Sequence, residues 1–303
     1  MTRNQTFIKG FALAALLPLL AACGNDDNGL PRDNEAQPVQ INIGTRASFD
    51  GEIREWQDDD RVGLSIKGYN EQSATQYTLT YNKGSWSTSP EIGKKMLPAT
   101  VEAWYPFTAS ASEFSFEHDY SKQNITHENM QYLIDGTVDQ STAQGLAKSD
   151  WMTSGQTNMT SPSFKINMQH RLCKVIVNIK SSETVSEVKF FSYIPNDING
   201  EYMGTKNVCI NPYKSAQSYT AIVSPCYYNG DPSYLPFMKI KVGEKQIFYT
   251  LPRNIGTQGS LSAGLAYTFN LTVNTTATRS AGTPECELEL VEVRDMNEES
   301  SRR

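Results

Sequence analysis

The sequence predicts an all-β protein with two β-sandwich domains, and two observations indicate this fold class. Apolar residues alternate with polar ones in many short runs, including 39–43, 62–66 and 175–179, and a period of two is typical of half-buried strands. Glycine, proline, asparagine and serine separate the runs, and beyond the first 22 residues no run keeps a helical period. Apolar residues make up 38% of the chain, which is enough for packed cores.

The alternating runs form two groups, and these groups define the predicted domains. Strong alternation resumes at Lys174, after a stretch at 153–163 that is rich in serine, threonine and methionine and has little periodicity. We therefore predict an N-terminal β-sandwich domain at 39–170 and a C-terminal β-sandwich domain at 171–303. Each has the size of an ordinary domain.

The first 22 residues are typical of a lipoprotein signal peptide. Arg3 and Lys9 precede an apolar run at 11–20 that is too short to span a bilayer. The run leads into Leu20-Ala21-Ala22-Cys23, which resembles a bacterial lipobox. We expect Cys23 to carry acyl chains (palmitate among them). Each buried CH₂ contributes about 0.8 kcal/mol to membrane binding, so several chains would anchor the protein. The predicted location is the outer membrane, at the cell surface.

Residues 23–38 contain two prolines and few apolar side chains, and they predict a flexible tether. Asp26 and Asp27 resemble a surface-export signal of Bacteroidota lipoproteins, although a solvated linker explains them equally well. Removal of the signal peptide takes away two positive charges and no acid, which lowers the net charge from −6 to −8. A nucleic-acid partner is therefore not expected.

Four cysteines follow Cys23, and all of them lie in the predicted second domain. An even number in an exported domain permits two disulfides with three possible connectivities, and free buried thiols are the alternative. The four possible disulfide partners are Cys173, Cys209, Cys226 and Cys286. No C-x-x-C and no Cys–His pair occurs at the spacing of metal ligands, so we expect no metal.

The sequence gives no positive sign of catalysis. It contains no G-x-S-x-G, no H-E-x-x-H, no P-loop and no dinucleotide fingerprint. His118 and His127 lie beside acids in a region without periodicity, and His170 lies where one run ends and another begins. We interpret all three as loop or structural residues. The three acids at 58–60 lack the spaced oxygen ligands of a calcium loop. We expect neither enzymatic activity nor a cofactor.

Several motifs, in their order after the lipobox, resemble the fimbrillin-like (major fimbrillin) family of Bacteroidota type V pili. They are Thr45-Arg46-Ala47, Trp56, Asp60-Arg61-Val62-Gly63-Leu64, Tyr81, Gly84-Ser85-Trp86, Trp104-Tyr105-Pro106, Asp150-Trp151-Met152, the run at 166–175, and the run at 264–271. The resemblance implies transthyretin-like sandwiches. From their chemistry alone, we interpret five aromatic residues in these motifs as core or inter-sheet residues: Trp56, Trp86, Trp104, Tyr105 and Trp151. The charged C-terminal tail departs from the family pattern and favours a specialised or tip subunit.

The resemblance also implies a route of assembly. A trypsin-like protease would cut the bond between Arg46 and Ala47 and remove the first strand together with its lipid. The plugs lost with that strand would be Val39, Ile41 and Ile43. A strand from another fimbrial subunit would then enter the empty groove, by edge-strand addition. The candidate donor is the C-terminal strand, where Cys286, Leu288 and Leu290 share a face.

The predicted function is therefore a structural or tip subunit of a cell-surface fimbrium, which assembles by protease-triggered strand exchange and mediates adhesion to a host or bacterial surface ligand. The alternative is a monomeric, surface glycan-binding lipoprotein that keeps its lipid. In that alternative the aromatic loop around Tyr227, Tyr228 and Tyr234 would bind a sugar ring. The two functions differ in covalent state, because only the fimbrial subunit loses residues 23–46.

Overall fold

A computed structural model describes residues 38–44, 56–108, 136–194, 206–225, 236–256, 259–278 and 284–297. For 274–278 and 284–287 it describes the backbone alone. Residues 36–303 belong to one compact unit. Nearly all of the regular elements in the described residues are strands, which confirms the predicted all-β class.

The strands of the first half are short, and they follow the predicted alternation. They are β1 (Gln40–Ile43), β2 (Arg61–Gly68), β3 (Thr75–Asn82), β4 (Ser85–Ser89), β5 (Ala99–Tyr105), β6 (Gly136–Asp139), β7 (Met152–Thr153), β8 (Thr157–Met159), β9 (Ser163–Ile166) and β10 (Gln169–His170). A 3₁₀ turn (Lys94–Met96) precedes β5, and the helix α1 (Ala143–Lys148) follows β6. The Thr142 side chain accepts a hydrogen bond from the Gly145 N–H and caps α1.

The longest of the described strands lie in the second half. The strands of this half are β11 (Cys173–Ser181), β12 (Val185–Tyr193), β13 (Asn207–Asn211), β14 (Tyr213–Ser215), β15 (Ser218–Val223), β16 (Met238–Val242), β17 (Lys245–Tyr249), β18 (Leu265–Thr278) and β19 (Pro284–Asp295).

The first core lies under a seven-stranded sheet with the order β10-β7-β5-β2-β3-β4, in which β8 also pairs with β5. The separate pair β1–β9 contributes side chains to the same core. Val62, Leu64 and Ile66 of β2 are fully buried, as their alternation predicts. Lys83 and Gly84 take positive φ angles in the tight turn between β3 and β4.

The second core lies between two five-stranded sheets, ordered β14-β15-β11-β18-β19 and β17-β16-β12-β13-β6. Both sheets send alternate side chains into one apolar cluster, which is the arrangement of a β-sandwich. The Phe237 ring lies 5.5 Å from the Phe190 ring and 5.6 Å from the Phe269 ring, and so joins the two sheets.

One segment of the first half completes the second sandwich. The strand β6 pairs in parallel with β13, and Trp104 and Trp151 are buried in the second core. The buried Gln140 side chain extends this contact: its Nε2 donates to the Ile222 carbonyl at 2.9 Å, and its Oε1 accepts from the Ile222 N–H at 2.7 Å. The structure thus has two cores, but chain from within 39–170 contributes to both of them.

Candidate functional site

The first strand is held in the first core by alternate side chains, which point to one face of the strand. The strand β1 pairs in parallel with β9, with Gln40 opposite Ser163 and Ile43 opposite Ile166. Val39, Ile41 and Ile43 keep only 6%, 3% and 7% of their surface exposed and belong to the first core. Gln40 and Asn42 face solvent. The alternation that the sequence predicts for this segment is confirmed, whereas its displacement stays a prediction.

Backbone hydrogen bonds fix both ends of the strand. At its start, the Val39 N–H donates to the Ile92 carbonyl at 2.8 Å. At its end, the Gly44 N–H donates to the Ile166 carbonyl at 2.8 Å. Among the described residues, β9 is the one strand with which β1 forms a ladder. One edge of β1 is therefore paired, and the buried face of its side chains supplies much of the remaining attachment.

The surface of the first core that Val39, Ile41 and Ile43 cover is here called the first-strand groove. Full burial of a Val or Ile side chain contributes about 1.5–3 kcal/mol, so the three side chains together contribute about 5–9 kcal/mol. That is a large share of the roughly 5–15 kcal/mol by which whole domains are stable. A first core that lost this strand would need another apolar strand in its place.

Trp56 closes the downstream end of the first-strand groove. Its indole Nε1–H donates to the Gly44 carbonyl at 3.0 Å. Its ring meets Trp86 and Tyr105 edge-on, with centroid distances of 4.9 and 5.3 Å. Trp56, Trp104, Tyr105 and Trp151 are buried and Trp86 is half-buried, so the predicted structural role of these aromatics is confirmed.

The bond between Trp56 and Gly44 is a feature that the sequence did not reveal. The two residues are twelve positions apart, and no local pattern links an indole to a backbone carbonyl at that distance. The predicted processing bond between Arg46 and Ala47 follows two residues after Gly44 and lies outside the described residues. Cys23, the predicted lipidation position, also lies outside them.

The candidate donor strand β19 forms one edge of its own sheet. It pairs with β18 in an antiparallel ladder that runs from Leu265 opposite Asp295 to Thr278 opposite Pro284. Leu288 and Leu290 are half-buried against the second core, and Glu289 between them is exposed. This two-residue spacing matches the predicted donor face. The Cys286 side chain lies outside the described ones.

The end of β19 is anchored to both halves of the molecule. The Met296 N–H donates to the Gly264 carbonyl at 2.8 Å, and the Met296 side chain is buried against Ile176 and Ala266. Asn297 accepts a hydrogen bond from the His170 N–H at 2.9 Å through its side-chain oxygen. The last strand is thus held along its length and at its end.

Two of the four cysteines have described side chains, and both are buried. Cys173 lies on β11 and Cys209 on β13. Burial raises the pKa of the Cys209 thiol to about 11, and the charges of Lys189 and Lys239 offset this only in part. Cys209 is therefore protonated and unreactive near neutral pH. Cys226 lies outside the described residues, so the disulfide hypothesis stays a prediction.

The polar residues singled out in the sequence serve the fold where they are described. His170 is buried, and its Nδ1 lies 2.7 Å from Asp150 Oδ1. Asp58 accepts from the Lys83 N–H at 2.7 Å, and Asp60 accepts from the Gln57 N–H at 2.9 Å, so these acids stabilise turns. His118 and His127 lie outside the described residues.

Neither a metal centre nor a membrane span is found in the described part of the chain. No three His, Cys, Asp or Glu side chains there come close enough together to hold a metal ion. Each helix within those ranges falls short of the length and apolar character that a bilayer crossing requires.

Comparison with known proteins gives one family and a set of similar folds. The fimbrillin-like family matches residues 45–287. A candidate cell adhesion protein from Bacteroides uniformis ATCC 8492 is similar at 16% identity and a TM-score of 0.54, over 88% of this chain and 100% of that one. One from Bacteroides ovatus ATCC 8483 is similar at 14% identity and 0.54, over 86% and 97%.

The C-terminally truncated tip fimbrial protein Mfa3 from Porphyromonas gingivalis gives 9% identity and a TM-score of 0.49, over 86% of this chain and 100% of that one. At identities this low, the two likenesses at a TM-score of 0.54 establish a shared fold and nothing finer. No curated protein sequence matches the chain.

Proposed function

The chain belongs to the fimbrillin-like family, and from this premise we propose that it is a cell-surface fimbrial subunit that assembles by exchange of its first strand and mediates adhesion. The observation that carries the proposal is the first strand itself. It is four residues long and is paired in a ladder along one edge among the described residues, and together with Val39 just before it the segment buries three side chains in the first core. Such a strand is a plug that another chain can replace. No catalytic step is part of this function.

In this proposal the precursor reaches the outer membrane as a lipoprotein anchored through Cys23. A trypsin-like protease then cuts after Arg46, and the segment 23–46 leaves with the lipid. The cut would fall two residues beyond Gly44, where the Trp56 hydrogen bond ends the described part of the first strand. The cut itself leaves the ladder with β9 in place, so release of the segment and entry of a new strand are a separate, slower event.

Filling the empty first-strand groove is the driving force for assembly. An exposed edge of β9 and three open apolar pockets are an aggregation hazard, and a strand from a neighbouring subunit removes that hazard. Its backbone hydrogen bonds set the register, and its alternate apolar side chains fill the pockets. Because each subunit would both receive a strand and donate one elsewhere, the contact is head-to-tail and gives a fibre rather than a closed ring.

The proposed donor is the C-terminal strand of a neighbouring subunit, with Cys286, Leu288 and Leu290 facing the groove. The spacing of two between its apolar residues equals the spacing between Val39, Ile41 and Ile43. In the structure β19 is paired with β18, so donation requires this ladder to part. The energy for that step would come from filling the groove.

The test is the covalent state of the protein made by an exporting bacterium that lipidates it. Intact mass and N-terminal sequencing are read before and after mild trypsin, and the products are sized on SDS gels without boiling. Arg46→Ala is the processing variant. Arg253→Ala removes an exposed arginine from a turn in the second half and serves as the matched control.

The proposed function predicts a new N-terminus at Ala47 and SDS-resistant ladders for the wild type and for Arg253→Ala. It predicts a full-length, lipidated monomer for Arg46→Ala. If the wild type keeps Cys23, resists trypsin at Arg46 and stays monomeric, the exchange function is wrong.

A further inference from the structure

A small cavity opens beside the turn that joins β2 to β3. Its volume is about 200 Å³, and its walls come from that turn, at Gly68–Glu71, and from the segment Lys95–Pro98 that leads into β5. Pockets for drug-sized ligands measure about 300–1,000 Å³, so this cavity suits a single compact unit such as one sugar ring or one side chain.

Tyr69 stands at the mouth of the cavity and is 81% exposed, more than either of the exposed valines of β19. An aromatic ring in this position contributes little to core packing, because most of its surface stays in water. A binding role explains the exposed ring better, since tyrosine offers a rigid, amphipathic contact surface at a low cost in side-chain entropy.

The backbone beneath Tyr69 is fixed, so the ring is presented from a defined position. The Tyr69 N–H donates to the Pro98 carbonyl at 2.9 Å. The Gly68 N–H donates to Glu71 Oε2 at 3.2 Å, and the Glu71 N–H donates back to the Gly68 carbonyl at 3.0 Å. This reciprocal pair closes the turn. A fixed turn loses less entropy when a ligand binds than a mobile one does.

The floor of the cavity is apolar and its rim is polar. Met96 is buried at the floor, where its sulfur accepts a hydrogen bond from the Tyr77 hydroxyl at 3.2 Å. Burial raises the pKa of Tyr77, and the negative charge of Glu71, which lines the cavity, raises it further. Asn70, Glu71 and Lys95 line the rim and are exposed.

We propose that this cavity is a binding site for one saccharide unit of a surface glycan. The apolar C–H face of a sugar ring would lie on the Tyr69 ring, and its hydroxyls would bond to Asn70, Glu71 and Lys95, which together offer donors and acceptors. Opposite charges at the rim match a neutral, hydroxyl-rich ligand better than an anion or a cation alone. For its biological purpose this inference rests on the adhesive role proposed above, for which it names the ligand class.

The test uses the full-length chain as a monomer, so it needs neither cleavage nor polymerisation. The probes are the methyl glycosides of glucose, galactose, mannose and N-acetylglucosamine, and binding is read by saturation-transfer NMR and titration. A one-sugar site of this kind is expected to bind with a Kd of about 1 mM. Tyr69→Ala should weaken binding about tenfold or more, and Tyr69→Phe should keep most of it.

Val293→Ala is the matched control, because it removes an exposed apolar side chain from a different part of the molecule and should leave sugar binding unchanged. Circular dichroism should give the same unfolding midpoint for all variants, since Tyr69 is mostly in water. The inference is overturned if no glycoside binds the wild type, or if Tyr69→Ala binds as well as the wild type does. Failure of strand exchange would leave this result unaffected, so the two proposals stand or fall separately.

Discussion

The first and the last strands of the described chain are held in opposite ways. The strand β1 has four residues and one ladder, and Ile41 and Ile43 of the strand and Val39 just before it are buried in the first core. The strand β19 has twelve residues, pairs with β18 along its length, and leaves Val291 and Val293 54% and 45% exposed. Side-chain burial adds most to the short ladder and end hydrogen bonds of the first strand, whereas a long ladder and an anchored end hold the last one.

This difference bears on which strand can be exchanged. A plug held by side chains can be replaced by any strand that carries apolar residues at the same spacing, because the groove recognises shape and alternation. A long strand held by its own ladder is harder to remove, since many hydrogen bonds must part together. The comparison therefore favours β1 as the replaceable strand of the proposed exchange. In the proposed exchange, the release of β19 would be the costly step of donation.

The largest expected effect comes from placing a charge on the buried face of β1, and the same charge on β19 is the comparison. Ile41→Asp buries an unpaired carboxylate in the first core and should lower the free energy of unfolding by about 4 kcal/mol or more. Val291→Asp places the same charge on an exposed site of β19 and should change it by no more than about 0.5 kcal/mol. Urea unfolding followed by tryptophan fluorescence measures both. Equal effects would show that β1 is not held by its side chains.

A smaller effect should follow from loosening the anchored end of the last strand. Gly264 has φ = +74°, and a Cβ there would lie 2.6 Å from Asn297 Nδ2. Gly264→Ala should therefore lower the free energy of unfolding by about 2 kcal/mol. Hydrogen exchange followed by mass spectrometry should show faster exchange at 288–297 and unchanged exchange at 39–44.

Gly155→Ala is the control for the backbone strain at Gly264. Gly155 has φ = +62°, but a Cβ there meets nothing within 4 Å. Gly155→Ala should lower the free energy of unfolding by about 1 kcal/mol and leave hydrogen exchange at 288–297 unchanged. If both variants behave alike, displacement of Asn297 does not loosen the end of β19.

The smallest effect should come from the hydrogen bond at the end of the first strand. Trp56→Phe keeps an aromatic ring but removes the indole N–H that donates to Gly44, which should cost about 1 kcal/mol. Opening at this end should become about fivefold more frequent, so trypsin should cut after Arg46 about fivefold faster. Trp86→Phe keeps that hydrogen bond and should leave the rate nearly unchanged. A rate unaffected by Trp56→Phe would mean that Trp56 does not control the end of β1.

The sequence was sufficient for the fold class and for most core positions. The alternation at Val62, Leu64 and Ile66 and at Val39, Ile41 and Ile43 identified buried faces correctly, because side-chain direction in a strand follows from the period alone. The aromatic core residues were also predictable, since large rings in alternating runs are rarely left in water.

Long-range pairings could not be predicted from the sequence. The parallel pairing of β6 with β13 joins residues about seventy positions apart, and nothing in either short run specifies its partner. The same holds for two hydrogen bonds whose partners no local pattern links. They run from Trp56 to the Gly44 carbonyl and from the His170 N–H to Asn297. The cavity at Tyr69 was missed because two turns that are unremarkable in sequence form it only when they meet.

The most direct test of the central claim is to offer the first-strand groove a competing strand. The wild-type chain is cut with trypsin in the presence of a synthetic peptide of residues 39–44, or of the same peptide with Asp in place of Ile41. Sizing and mass spectrometry then follow polymer and bound peptide. The account predicts that the native peptide binds one per subunit and suppresses the polymer, and that the Asp peptide does neither. A polymer that forms equally with either peptide, or a cut chain that keeps its own first strand and stays monomeric, would contradict it.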